Sequence, residues 1–236
     1  MTVKFTILGC GSSLGVPRVD GNFGKCDPNN KKNYRTRCSA LISVNKVNIL
    51  IDASPDIRSQ LISSKIKKID KVFFTHSHAD QTHGINELRI FYMKYKKKIP
   101  IYADKNTKKY LNKSFNYCFK DSSFYPAMLK MNDVKKIHNY NYGNNKLSIK
   151  SIRVQHGRIN SICYIVNNKC AYVPDVSKIF YKDLSNFKDL KYFVVDCLRY
   201  DSHPSHFNLE TSLAVIKQFK PKKAILTNLS PILDYK

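Results

Sequence analysis

Apolar residues gather into short runs separated by polar turns, and two periodicities alternate along the chain. Runs at 3–9 (VKFTILG), 40–44 (ALISV) and 47–53 (VNILIDA) are rich in β-branched residues and predict strands. The segment 55–66 (PDIRSQLISSKI) switches to helical spacing, with Pro55 near its start. A short buried strand is expected at 71–75 (KVFFT). A helix follows over 84–95, with Ile85, Leu88, Tyr92 and Met93 near one side. Then come a strand at 99–104 and a helix over 106–119, while residues 120–134 carry no period and read as irregular. Strands at 146–154, 161–166, 169–175 and 191–198, a helix at 208–219 and a strand at 222–229 close the pattern. With no repeat, Gly/Ser linker or composition break, the expectation is one α/β domain over 1–236, its sheets covered by helices.

Composition changes this picture little. A chain of 236 residues with 42% apolar residues can bury one large core or two small ones, and disorder is not the default reading. The charge matters more. Lys and Arg number 41 against 17 Asp and Glu, a net +24, which attracts anionic substrates and polyanions. Lys, Asn, Ile and Tyr abundance is also what AT-rich codons produce, and the Lys runs at 94–98 and 220–223 read as solvated faces. A nucleic-acid partner is therefore weighed but not favoured. The start, MTVKFTILGCGSS, reads as a strand entering a glycine turn rather than a signal peptide, and no apolar run reaches the ~20 residues of a membrane span. Seven cysteines without a CxxC point to reduced thiols and a cytoplasmic location. Cys10, Cys163, Cys170 and Cys197 fall in or beside apolar runs as core residues. Cys26 and Cys38, in a polar segment, are candidates for a minor metal site.

The candidate chemistry lies at strand ends. Asp52 follows VNILI; His76, His78 and Asp80 follow KVFFT; His156 follows IKSIRVQ; Asp175 follows KCAYVP. Asp196 follows KYFVV, with His203 and His206 a little later, and Asn228 follows KKAILT. Sheets would carry those ends to one edge. In an extended His-x-His-x-Asp, alternate side chains face the same way, so His76, His78 and Asp80 converge. Neutral imidazoles and carboxylates are the ligands zinc and its neighbours accept.

At this point the residues resemble a known family. THSHADQTHGI (75–85) is similar to the THxHxDHxxG signature of the metallo-β-lactamase superfamily. By that resemblance His156 is the next histidine ligand, Asp175 the metal-bridging aspartate, and Asp52 a buried brace that binds no metal. ILGCGSSLGVPR, RCSALI, ILIDASPDIRSQL, HGRINSICY and HPSHFNLE extend the likeness over nearly the whole chain. They most resemble the bacterial branch with the phosphonate-pathway cyclic phosphodiesterases, and more distantly the tRNA 3′-processing endonucleases. The resemblance implies a metallo-β-lactamase-like four-layer αββα sandwich. Relatives continue past the last strand with a further helix and strand, so the expectation leaves open that those C-terminal elements are lacking.

The sequence departs from the pattern where Gln81 and Asn228 stand in place of histidines, and near Cys26, where a cysteine-rich zinc clip is not matched. In the family one metal takes the residues matching His76, His78 and His156. The other takes those matching Asp80, Gln81 and Asn228, with Asp175 bridging. The expectation is one tight Zn²⁺ and a second position that is weak, empty or filled by Mn²⁺ or Mg²⁺, because Gln and Asn offer only a carbonyl oxygen. His83 either swings in as a replacement ligand or packs the following helix. The implied activity is hydrolysis of a small anionic phosphodiester, cyclic ones included, by a metal-bound hydroxide that Asp80 or Asp175 orients. His206 is the implied acid for the leaving alkoxide, with His203 as second candidate. Arg158 and Arg199 are candidates to hold phosphate. Alternatives are a tRNA-processing-type endoribonuclease, against which no long arm-like insertion is found, and a non-catalytic descendant of the fold. A homodimer is compatible with all three.

Overall fold

The computed structural model describes residues 3–236. They form two compact units, one from the chain up to Leu8 with Ser39–Val134, the other from Gly9–Cys38 with Lys135–Lys236.

The first unit is built on a six-stranded sheet in the order β1 (Lys4–Gly9), β2 (Ser39–Val44), β3 (Val47–Ile51), β4 (Lys71–Phe73), β5 (Ile99–Ala103) and β6 (Leu129–Asp133). β2 and β3 form an antiparallel hairpin, and β3 through β6 run parallel. Its helices are α1 (Ile57–Ser63), α2 (Ala79–Thr82), α3 (Arg89–Tyr95) and α4 (Lys105–Ser114). Parallel strands need crossover segments that cover the sheet, which is why β3 and β4 are apolar almost without interruption. Leu50, Val72 and Ile101 from the sheet share one buried cluster with Ile57, Leu61, Leu88 and Leu111 from the helical segments. Each such side chain contributes roughly 1.5–3 kcal/mol of burial.

The second unit has a six-stranded sheet in the order β12 (Lys223–Thr227), β11 (Tyr192–Asp196), β10 (Cys170–Val173), β9 (Ile159–Val166), β8 (Asn145–His156) and β7 (Ile137–Tyr142). β7 to β10 form an antiparallel meander, and β10, β11 and β12 are parallel. Helix α5 (Leu209–Phe219) begins at Asn208, whose side chain accepts from the Thr211 N–H. Phe187, Phe193 and Phe219 form an aromatic knot in its core. Because β8 and β10 are both antiparallel to β9, they run the same way. The C-terminal ends of β8, β10, β11 and β12 therefore share one edge, the place where α/β sheets bind ligands.

Several expected elements change. Residues 120–134 are not wholly irregular, because β6 lies there and pairs with β5. β7 (IHNYNY) was also not expected. Both are outer strands of mixed composition, and pairing with a neighbour, not an apolar period, makes them strands. The helix expected over 84–95 opens with a 3-10 turn, Ile85–Leu88, before α3, and the one expected over 106–119 ends at Ser114. The His-x-His-x-Asp segment is not extended throughout, since Asp80 sits in the short helix α2. Among the described residues no helix is long and apolar enough to cross a membrane. All seven cysteines are free thiols.

Candidate metal centre

In the first unit the chain leaves β3 at Asp52, in the left-handed region at φ 61°. Aspartate tolerates that conformation better than most side chains. Asp52 is fully buried. Its Oδ1 accepts from the Thr75 N–H at 2.8 Å and its Oδ2 from the Thr75 hydroxyl at 2.9 Å. Burial pushes the Asp52 carboxyl well up, the Thr75 bonds oppose this, and the Asp80 charge adds to it. The Thr75 hydroxyl, donating to Asp52, meets His76 Nδ1 at 3.0 Å and can only accept there. That places the ring proton on Nδ1 and leaves Nε2 as the ligand atom, a relay of the kind that fixes metal-binding imidazoles. The His76 and His78 rings lie edge to face, with centroids 4.5 Å apart. Gly84 explains its own place in the motif. A Cβ there would come within 1.9 Å of the Ser54 carbonyl oxygen. Only a glycine lets its N–H reach the Ala53 carbonyl at 2.8 Å, while Ala53 N–H reaches the Gln81 carbonyl at 2.8 Å.

In the second unit His156, Asp175 and His206 each offer a ligand atom, and these atoms lie within 4.8 Å of one another. His156 ends β8, and its Nδ1 lies 2.7 Å from the Ser205 carbonyl oxygen. A carbonyl only accepts, so Nδ1 carries the proton and Nε2 keeps its lone pair. Gly157, at φ 58°, allows this approach: a Cβ there would sit 2.4 Å from Ser205 Oγ. His206 Nδ1 lies 2.8 Å from Asp196 Oδ2, which also accepts from the Val176 N–H at 3.0 Å. Asp196 is fully buried, and burial pushes its carboxyl up to about 6 against the pull of His206. Beneath the cluster Cys38 is a buried thiol pushed well up by burial and by Asp175.

Gln81 and Asn228 behave alike. Gln81 is fully buried and its Nε2 donates to Asp80 Oδ2 at 3.2 Å. Asn228, at φ 61°, donates through Nδ2 to Asp175 Oδ1 at 3.2 Å and to the Pro174 carbonyl at 3.0 Å. Those two bonds use both amide hydrogens, so its 3.1 Å approach to His206 Nδ1 is a contact between two donors. Each carboxylate thus meets an amide N–H from the residue that stands in place of a histidine.

Of the other candidates His203 stays beside the cluster, its ring centroid 5.1 Å from that of His206, and the rest are placed elsewhere. His83 Nε2 lies 2.7 Å from the Tyr110 hydroxyl on α4, and its ring stacks parallel to Tyr110 and edge-on to Phe115. It packs, but against α4 and the residue that ends it rather than against the helix that follows it in sequence. His203 Nδ1 accepts from the Ser205 N–H at 3.2 Å, and burial holds its pKa below the usual histidine value. Arg199 donates to the Asp201 and Ser202 carbonyls, so it pins its own loop. Arg158 is exposed. Cys26 donates to the Leu233 carbonyl at 3.3 Å and Cys38 contacts the Gly11 carbonyl and Thr227 hydroxyl, so the two thiols serve different partners rather than a shared ion. The buried Asp196 was seen in the sequence only as a strand-end carboxylate. Its bond to His206, ten residues on, was the signal for its role.

Comparison with known proteins agrees with this fold. The model of the β-lactamase superfamily domain matches residues 47–227. The chain belongs to that family and has the fold of its metallo-hydrolases. The crystal structure of a new diphosphatase from the PhnP family is 27% identical, with a TM-score of 0.86, covering 99% of this chain and 88% of the other. The Zn²⁺-bound PqqB of Methylobacterium extorquens is 15% identical with a TM-score of 0.77, covering 98% and 90%, and shares the fold. A curated protein of Porphyromonas gingivalis (strain ATCC BAA-308 / W83) named octanoyltransferase is 30% identical over 232 residues. The match takes in 97% of this chain but 46% of that protein, so the chain spans about half the length of the curated relative it matches. The donor chemistry fits a divalent ion of this superfamily. His76 and His156 both have Nδ1 protonated and Nε2 left as donor, and Asp175 is a buried carboxylate grouped with His156 in the second unit.

Proposed function

We propose that this protein is a metal-dependent hydrolase of phosphodiester bonds, small cyclic diesters included, with one tightly held zinc-like ion. His76, His78 and His156 would hold that ion with Asp175, and Asp80 would help orient the attacking water. A bound divalent ion supplies Lewis acidity and lowers the pKa of water toward neutrality. The protein's own residues do the rest. The relays from Asp52 through Thr75 and from the Ser205 carbonyl hold two imidazoles with Nε2 forward. Asp80 and Asp175 would receive the water's proton. The amide N–H groups of Gln81 and Asn228 on those two carboxylates support a second position that is weak, or filled by Mn²⁺ or Mg²⁺ rather than zinc. The net charge of +24 favours an anionic substrate over a neutral ester.

The observation that carries the reading is His206. Its Nδ1 is held by a buried carboxylate while the ring lies among His156 and Asp175, which suits a proton donor to a leaving alkoxide. Hydrolysis of bis-p-nitrophenyl phosphate with added Zn²⁺ or Mn²⁺ tests it. Activity is expected, and His206→Ala should lower turnover more for an alkyl leaving group than for p-nitrophenolate. Equal losses on both substrates would assign His206 a packing role, and no turnover at all would favour a non-catalytic descendant. The basic charge also supports a second reading, a tRNA-processing-type endoribonuclease. A salt-dependent gel shift with tRNA would favour it, because phosphate contacts weaken steeply with salt.

A further inference from the structure

The first unit carries a second cavity that shares no residue with the metal-binding set. It encloses about 520 Å³, within the range of small-molecule pockets. One wall is α3, with Arg89, Tyr92 and Met93, continued by Lys96 at the helix's left-handed end. The opposite wall is the segment after α4, with Tyr117 and Tyr125. This second wall is pinned. Asp121 accepts from the Ala127 N–H at 2.8 Å and pairs with Lys98 at 3.1 Å, and the Tyr117 hydroxyl donates to Asn86. These bonds hold the wall in place through the protein's own residues.

Its chemistry is selective. Tyr117, Tyr125 and Met93 each leave about half of their surface in water. Burying such area against a flat ring is the favourable act open to them. The Arg89 guanidinium lies 4.6 Å from the centre of the Tyr125 ring, so a cation and an aromatic face already meet in the cavity lining. Among the described residues no carboxylate lines the cavity, while Arg89 and Lys96 both do. Bare phosphate would leave the aromatic surface unused, and a neutral apolar ligand would leave two cations without a partner. The ligand that uses both is a flat heteroaromatic ring carrying a phosphate. We propose that this cavity binds a nucleoside monophosphate, its base against Tyr117 and Tyr125 and its phosphate on Arg89 and Lys96. Stacking on an aromatic side chain contributes about 1–3 kcal/mol per base, and the guanidinium suits the phosphate.

Calorimetric titration of the full chain with AMP tests this. One saturable site is expected, weakened about tenfold or more by Arg89→Ala and by Tyr125→Ala. Ribose 5-phosphate and adenosine, each lacking one half of the ligand, should bind more weakly than AMP. To separate this cavity from the metal centre, the titration is repeated with His156→Ala, which should keep AMP affinity, while Arg89→Ala should keep bis-p-nitrophenyl phosphate hydrolysis. Lys96→Ala, an exposed change, serves if Tyr125→Ala fails to fold. The proposal is overturned by no saturable binding, by affinity unchanged in the Arg89 and Lys96 variants, or by loss of AMP binding in His156→Ala.

Discussion

Replacing Asp196 with Asn tests the buried pair behind the proposed proton donor. The carboxyl is pushed from 3.8 to about 6, mainly by burial. Each tenfold step in acidity is worth about 1.36 kcal/mol, so ionising Asp196 in the native state costs about 3 kcal/mol more than in the unfolded chain. Between those two values the native chain holds a proton that the unfolded chain has released, so this group's contribution to stability falls as pH rises. The Asp196→Asn variant cannot titrate there and escapes that loss. Any cost of an amide in this place that does not involve His206 shifts the variant equally at every pH. The stability difference, wild type minus variant, should therefore fall by about 2 kcal/mol from about pH 4.5 to about pH 7. Urea unfolding of metal-free protein across that range reads it. Turnover should move the other way. The His206 bond involves a charged group, worth about 1.5–3 kcal/mol, so the variant should lose about 10- to 150-fold on a diester with a poor leaving group. A stability gap that stays constant with pH, or widens in favour of wild type, would refute the reasoning.

Two further outcomes follow from the same geometry. Gln81→His together with Asn228→His should replace the amide donors on Asp80 and Asp175 with ligands, adding a second tight ion and raising diesterase activity. Unchanged metal content and rate would show that the second position is not what limits turnover. Gly84→Ala should destabilise the chain by about 1–3 kcal/mol, because its methyl meets backbone rather than a movable side chain. A melting temperature equal to wild type would show that the turn shifts freely.

The strand-end position of the candidate residues was more legible in the sequence than the bonds that hold them. Each candidate residue follows an apolar run long enough to be a buried strand, and strand ends of parallel pairs share an edge, so Asp175, Asp196 and Asn228 could be grouped from pattern alone. The HxHxD motif gave His76 and His78 in the same way. Bonds between segments far apart in sequence were not legible. The Ser205 carbonyl on His156 depends on how a loop 49 residues away folds back, and the facing of the Asn228 amide depends on Asp175, placed by another strand. His83 was ambiguous for the same reason, since Tyr110 lies on another helix. β6 and β7 were missed because outer strands need no apolar alternation, only a partner with free N–H and C=O groups.

The central claim is that neutral imidazoles and a buried aspartate hold one divalent ion firmly while the amide-bearing position does not. Elemental analysis of the protein as purified, after exhaustive dialysis, reads this directly. About one zinc-like ion per chain is the predicted result, lost in the His76→Ala and His156→Ala variants. Two tightly held ions per chain, or none, would contradict it.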